Sequence, residues 1–264
     1  MYTSEVESAE LVRMDKPAPR DWAQMDKSGV KETFDSIADY YDHMNRVMTM
    51  GRHRHWCKEV ARRAVVPLGG SLLDIATGTG EIALAARCLY PHAAITAADF
   101  SESMLAAAAA RASADRISWQ VADANSLPFA DESFDSVTSG YLLRNVDDVY
   151  RVLAEQFRVL KPGGNLVVLE TCPPTGPLSP LVTLGVRRAI PMLGQAIAHD
   201  RESYRYLRDS TLAFIPPEKV AGIARRAGFQ NVRWRRKFFG TNMILWARRP
   251  AQPRQSTPAA PPGP

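Results

Sequence analysis

Between residues 71 and 170 the spacing of apolar positions changes repeatedly. Short apolar runs at 71–76, 94–99, 117–122, 135–140 and 165–170 read as strands. Between several of them, at 80–90, 102–113 and 146–160, apolar residues return every three or four positions, as the buried stripe of a helix does. This alternation predicts an α/β fold with a parallel sheet and helices on both faces. Lys161-Pro162-Gly163-Gly164 reads as a turn, because proline cannot continue the preceding helix and the glycines permit a reversal. Upstream, residues 30–48 place Phe34, Ile37, Ala38 and Tyr41 at i, i+3, i+4 and i+7, an amphipathic stripe that must cover something apolar. Downstream, a helix at 217–227 ending at Gly228 precedes strands near 229–237 and 241–248, read as an antiparallel edge pair.

Composition adjusts this picture at its margins. At 264 residues and 45% hydrophobic, the chain suits one α/β domain with a large core. That domain is expected at 29–249, with a helical cap at 29–68 and an inserted substrate lid at 173–214. Residues 1–28 are expected to form a flexible arm, and 250–264, with six prolines in fifteen residues, a disordered tail. No uncharged apolar run of about 18 residues exists and the N-terminus has no apolar h-region, so a soluble, unprocessed, cytoplasmic protein is expected. The apolar stretch 178–198 is interrupted by Arg187, Arg188 and Pro191. It suits a greasy channel, a segment dipping into the inner face of a membrane, or a plain core-covering helix. Net charge is +5, yet the chain after Gly228 carries seven basic residues and no acid, leaving about −2 upstream (+5 minus +7). Contact with an anionic membrane or nucleic acid is one reading of that end; a solvated edge hairpin is the one we favour. Three cysteines without a C-x-x-C pair predict free thiols rather than a disulfide framework or zinc site.

The most informative chemistry is at residues 73–81, Leu-Asp-Ile-Ala-Thr-Gly-Thr-Gly-Glu, with Asp99 eighteen positions beyond Glu81. A strand ending in a glycine turn, then a helix, then a strand tipped by a carboxylate describes a nucleotide-type cofactor site. Gly78 and Gly80 allow close approach to the main chain, and the acid can hold a ribose diol. Gly78, Gly80 and Ala83 also satisfy the dinucleotide fingerprint, so the turn alone does not separate a nicotinamide enzyme from a methyltransferase. Three features separate them. Asp74, four residues before Gly78, can reach the amino group of an amino-acid ligand; about 70 residues precede this strand; and Asp123-Ala124 follows a third apolar run. That order resembles the S-adenosylmethionine-dependent methyltransferase fold, which implies a seven-stranded, mostly parallel Rossmann-like sheet with an antiparallel C-terminal edge strand.

Residues 40–56, Tyr-Tyr-Asp-His-Met-Asn-Arg-Val-Met-Thr-Met-Gly-Arg-His-Arg-His-Trp, are similar to the N-terminal signature of the ubiquinone/menaquinone biosynthesis C-methyltransferases. Leu143-Arg144-Asn145-Val146, the run from Arg158 to Gly164, and His199-Asp200 with Ser203-Tyr204-Arg205-Tyr206-Leu207 extend the resemblance over roughly 30–249. It implies methyl transfer from S-adenosylmethionine to a ring carbon of a prenylated, lipophilic quinol. It implies cofactor contacts at Thr79, Asp99, Asp123 and Ala124, with Gly78, Gly80 and Met104 nearby, the last packing on adenine after Ser101 caps its helix. Asp74, Ala76 and Gly140 complete the expected cofactor set, and Tyr41 is placed to close over the methionine end.

A phenol near pKa 10 is mostly protonated at neutral pH, so making an aromatic carbon nucleophilic requires stabilising or forming the phenolate. Arg144 and Asn145, just beyond the fourth strand, are placed for this; an ion pair of Arg144 with Asp147 or Asp148 is the competing reading. Of the histidines, His199 beside Asp200 is the candidate base. His53-Arg54-His55 lacks a third ligand, and no metal is required. Around the acceptor pocket, Glu170-Thr171-Cys172 and Ile215-Pro216-Pro217-Glu218 depart from the family pattern. A methyltransferase of specialised metabolism therefore stays open, as does a non-catalytic cofactor-binding subunit of a quinone-biosynthesis assembly and a homodimer. A nucleic-acid amino-methyltransferase is disfavoured, because Gly140-Tyr141-Leu142-Leu143 is not an Asn/Asp-Pro-Pro-Tyr element.

Overall fold

The computed structural model describes residue 35 and residues 41–111, 113–197 and 209–251. Seven strands form one sheet: β1 (Ser71–Ile75), β2 (Ala94–Asp99), β3 (Ile117–Val121), β4 (Phe134–Gly140), β5 (Leu160–Thr171), β6 (Gln230–Lys237) and β7 (Asn242–Arg248). Their spatial order is β3-β2-β1-β4-β5-β7-β6. The first five strands pair in parallel, and β7 lies antiparallel between β5 and β6. The helices are α1 (Tyr41–Met48), α2 (His53–Ala64), α3 (Glu81–Leu89), α4 (Glu102–Ala109), α5 (Val149–Val159), α6 (Ser179–Ile197) and α7 (Pro217–Arg226).

The period-2 alternation of the strands divides the core between the two faces. Leu73 and Ile75 of β1 and Leu166 and Val168 of β5 pack with Val152 and Leu153 of α5 and Val220 and Ala224 of α7. Their neighbours in sequence face the other way: Leu72 meets Ala61 of α2 and Ala83 and Ala86 of α3, while Val167 and Leu169 meet Trp56 and Val60 of α2. Strand order reverses between β1 and β4, which opens a crevice outside their carboxyl ends.

Three expected boundaries move. The helix expected at 102–113 ends at Ala109, where the Arg111 N–H turns back to Ala108 O at 3.2 Å and Ser113 adopts φ +70°. The helix expected from 146 begins at Val149, because Asp148 accepts the Arg151 N–H at 3.0 Å and a short 3-10 turn, Leu143–Asn145, occupies the residues before it. Lys161-Pro162-Gly163-Gly164 is not a separate turn but a bulge within β5. Leu160 pairs with Phe134 and Asn165 with Ser136, and Gly163 takes φ +81° to absorb the extra residues.

The C-terminal pair forms as expected, with β6 outermost and its Arg233 and Arg235 exposed. Within the inserted region α6 is helical, and Leu178, Leu181 and Leu184 are exposed near its start beside Arg187 and Arg188. Among the described residues no helix is long and apolar enough to cross a membrane. The expectations for residues 1–28, most of 30–40, 252–264 and the His199–Leu207 region lie outside the described residues.

Candidate active site

A cleft of about 960 Å³, including its open mouth, occupies the switch-point crevice. Its floor is apolar: Ile75 from β1, Phe100 and Met104 beyond β2, and Leu142 beyond β4. Three acids line it: Asp99 at the tip of β2, Asp123 just after β3, and Asp147 beyond β4. Asp99 Oδ2 accepts the Gly78 N–H at 2.7 Å and Oδ1 accepts the Ser101 N–H at 3.0 Å. Burial pushes its pKa upward, and these donors pull it back. Asp123 is oriented by Asn125, whose N–H and side-chain amide donate to Oδ1 at 2.9 and 2.8 Å.

Of the two glycines of the turn, Gly78 lines the cleft, whereas Gly80, expected there too, is packed against Trp119 and Ala108 instead. Gly78 has φ +54° and Gly80 φ +83°, and a Cβ on Gly80 would lie 2.8 Å from the Trp119 ring. Ala76 also takes a positive φ, +52°, which strains a residue bearing a Cβ. Ala76, Gly78, Met104, Ala124 and Gly140 all face the cleft. Thr79 faces a side recess next to it. Asp74 does not line the cleft: it is fully buried, accepting the hydroxyls of Thr77 at 2.6 Å and Thr138 at 2.7 Å. Burial raises its pKa to about 6.

Helix α1 roofs one end. Tyr41 lies across the cleft, its ring 3.7 Å from where a Gly78 Cβ would stand, and burial raises its hydroxyl pKa. Sequence reasoning missed what holds this cap. Asp42 accepts the Thr79 hydroxyl at 2.5 Å, and Arg111 bridges Asp42 at 2.7 Å, Thr79 O at 2.9 Å and Glu81 at 2.7 Å. Asp35 accepts the hydroxyls of Ser101 and Ser103 at the start of α4. Asp42 stood inside the N-terminal signature, the one signal that could have marked it; nothing in the sequence marked Arg111.

Beyond β4, Tyr141 and Asn145 border the cleft, and the Asn145 amide donates to Tyr141 O at 2.8 Å. Arg144 is buried, with its guanidinium 4.8 Å from the Tyr141 ring centroid, and does not form the cleft wall. The competing reading, a buried ion pair, is right in kind but not in partner: the acid is Glu170, at 2.9 Å, rather than Asp147 or Asp148. Asp148 is turned to cap α5 and Asp147 is exposed, whereas Glu170 ends β5 beneath the turn. Glu170 was legible as the acid of Glu170-Thr171-Cys172 after the apolar run Leu166-Val167-Val168-Leu169, but not as the partner of Arg144. His53 is buried and stacks on Tyr141 at 5.8 Å, and burial lowers its pKa. His199 lies outside the described residues.

Among solved structures, the chain is similar to a SAM-dependent methyltransferase of Thermotoga maritima, 20% identical with a TM-score of 0.60, covering 83% of this chain and 99% of that one. It is also similar to the cyclase SpnF, 20% identical with a TM-score of 0.62, covering 84% and 96%. The architecture is that of the Rossmann-like methyltransferases, a fold that hosts more than one reaction. Sequence narrows the class: the chain belongs to the ubiE/COQ5 methyltransferase family, which it matches over residues 22–249. It is 49% identical over 219 residues to the ubiquinone/menaquinone biosynthesis C-methyltransferase UbiE of Desulfotalea psychrophila, spanning 83% of this chain and 89% of that protein. It is 38% identical to the demethylmenaquinone methyltransferase of Lactiplantibacillus plantarum, spanning 80% and 92%.

Proposed function

We propose that this methyltransferase transfers a methyl group from S-adenosylmethionine to a ring carbon of a prenylated quinol. The observation that carries the reading is the cleft itself, which places an apolar floor and two acidic tips on one side and the Tyr141–Asn145 turn on the other. The residues fit the donor: Asp99 suits a ribose diol, Met104 and Phe100 an adenine face, Asp123 with Ala124 the adenine edge, and Gly78 with Tyr41 the methionine end. When bound, S-adenosylmethionine supplies an electrophilic methyl on a sulfonium leaving group.

The protein must then make the ring carbon nucleophilic and hold it in line at about 3 Å. Asn145 brings an amide to the cleft, where it can orient a ring oxygen. Arg144, below Tyr141, contributes positive charge in a site of low dielectric, which favours the phenolate. His199 is proposed as the base. The apolar face of α6, with Leu178, Leu181, Leu184 and the adjacent arginines, suits a lipophilic tail presented at a membrane surface. Relatives named for quinone methylation at up to 49% identity support this acceptor over a specialised metabolite or a silent subunit.

The test is methyl transfer from labelled S-adenosylmethionine to short- and long-tailed demethylmenaquinol and demethoxyubiquinol analogues, with Asp99→Ala as control. Transfer to a quinol carbon, lost in the control, is expected. Tight donor binding with no transfer to any quinol overturns the acceptor.

A further inference from the structure

Glu170 ends the apolar run of β5 and is fully buried. A buried carboxylate is tolerated when its oxygens are engaged. Oε1 accepts from Arg144 Nη1 at 2.9 Å and from the Thr171 N–H at 2.8 Å, while Oε2 accepts the backbone N–H of Arg144 at 3.3 Å. Holding one residue at both its backbone and its guanidinium fixes more than a charge. It fixes the 3-10 turn Leu143–Asn145, and therefore the direction from which Asn145 meets the cleft.

We propose that Glu170 is a positioning residue for the methyl acceptor: by clamping Arg144 at both ends it presents Asn145 and sets the net charge felt by the acceptor's hydroxyl. This rests on methyl transfer to a hydroxylated ring as set out above. The Glu170 carboxylate offsets part of the Arg144 charge, so the acceptor feels less positive charge than the guanidinium alone would give. Glutamine in its place keeps the shape but removes a negative charge beside the guanidinium, so the acceptor hydroxyl ionises at lower pH. Three titratable groups face the pair, Tyr141 and Tyr41 toward the cleft and Cys172 just beyond β5, with Arg236 behind Cys172 at 3.4 Å from its sulfur. Burial pushes both tyrosines above their ordinary range and Cys172 up to about 12, so these hydroxyls and the thiol stay neutral where the profile is read.

Glu170→Gln and Glu170→Asp are compared with the unmodified protein for donor affinity by calorimetry and for transfer to a short-tailed quinol between roughly pH 5 and 9. Both variants are expected to bind S-adenosylmethionine within about twofold of the unmodified protein. Glu170→Gln is expected to lose about tenfold in kcat and to shift the acid limb of its rate profile down by about one pH unit. Glu170→Asp keeps the charge but not the reach, so its kcat falls while the limb stays in place. A purely structural role lowers the melting temperature of Glu170→Gln and leaves the limb where it was, which overturns the proposal. So does a Glu170→Gln protein with unchanged kcat. Should Glu170→Gln fail to fold, Glu170→Asp replaces it. Its kcat is expected to fall with donor affinity retained, and unchanged kcat overturns the proposal. Failure of the acceptor reading is distinct, because it is visible as absent transfer by the unmodified protein before any variant is made.

Discussion

Asp74 is a carboxyl deep in the sheet whose burial outweighs its two hydroxyl donors, lifting its pKa from 3.8 to about 6. Because the folded-state pKa lies above the unfolded one, the folded protein binds this proton more tightly. The group's contribution is therefore most favourable below about pH 4 and is lost as pH rises through 6, a cost of roughly 3 kcal/mol. Asp74→Asn removes that titration. Urea unfolding between about pH 4 and 7 should show the unmodified protein losing stability relative to the variant by an amount of this order. Glu59, Glu81, Asp135 and Glu155 have lowered pKa values from their Arg and Lys partners and contribute in the opposite sense, but they are common to both proteins. Ala76 is one of several non-glycine residues at positive φ, and it faces the cleft. Replacing it with glycine at φ +52° should stabilise the protein by about 0.5–1 kcal/mol, read as a raised denaturant midpoint.

Helix α1 is only eight residues long and is held by charge as much as by its buried Met44. Its Asp42 meets Thr79 and Arg111, and Arg111 also reaches Glu81 at the start of α3. The latch thus joins the cap to the turn that would carry the methyl donor. Arg111→Ala should raise amide exchange across residues 41–48 while the central strands stay protected. Its cost to global stability should be about 1–2 kcal/mol, since these groups are only partly buried. Donor affinity should weaken by about threefold to tenfold, and a variant that binds as tightly as the unmodified protein would show that the cap plays no part in retention.

At the scale of the whole molecule the residue just after β7 is tied back to the end of α5. Arg249 donates to Phe157 O, Arg158 O and Leu160 O at 2.9, 3.1 and 2.7 Å, and to Glu132 at 2.5 Å, while its guanidinium lies 4.7 Å from the Phe157 ring centroid. These carbonyls close α5, so one side chain from beyond β7 caps a helix about ninety residues earlier. Arg249→Ala should cost about 2–3 kcal/mol, measured as a shift of the thermal or urea midpoint, because several carbonyls lose their donor together.

The local pattern of residues determined the elements, the glycine turn and the acidic tips, because helix period, strand alternation and positive φ are properties of a few neighbouring residues. Gly78, Asp99 and Asp123 line the cleft at the turn and strand tips of that local pattern, whereas Gly80 packs beneath it. Tertiary structure alone decided the partners. Arg144 could pair with Asp147, Asp148 or a distant acid, and only the packing of β5 under the 3-10 turn brought Glu170, 26 positions away, within 2.9 Å. The same holds for Asp42 with Arg111, 69 positions apart, and for Asp74, whose burial turned a candidate ligand group toward two hydroxyls. Charge pairing acts through space, and desolvation depends on what the whole fold covers; neither is written in the spacing of residues along the chain.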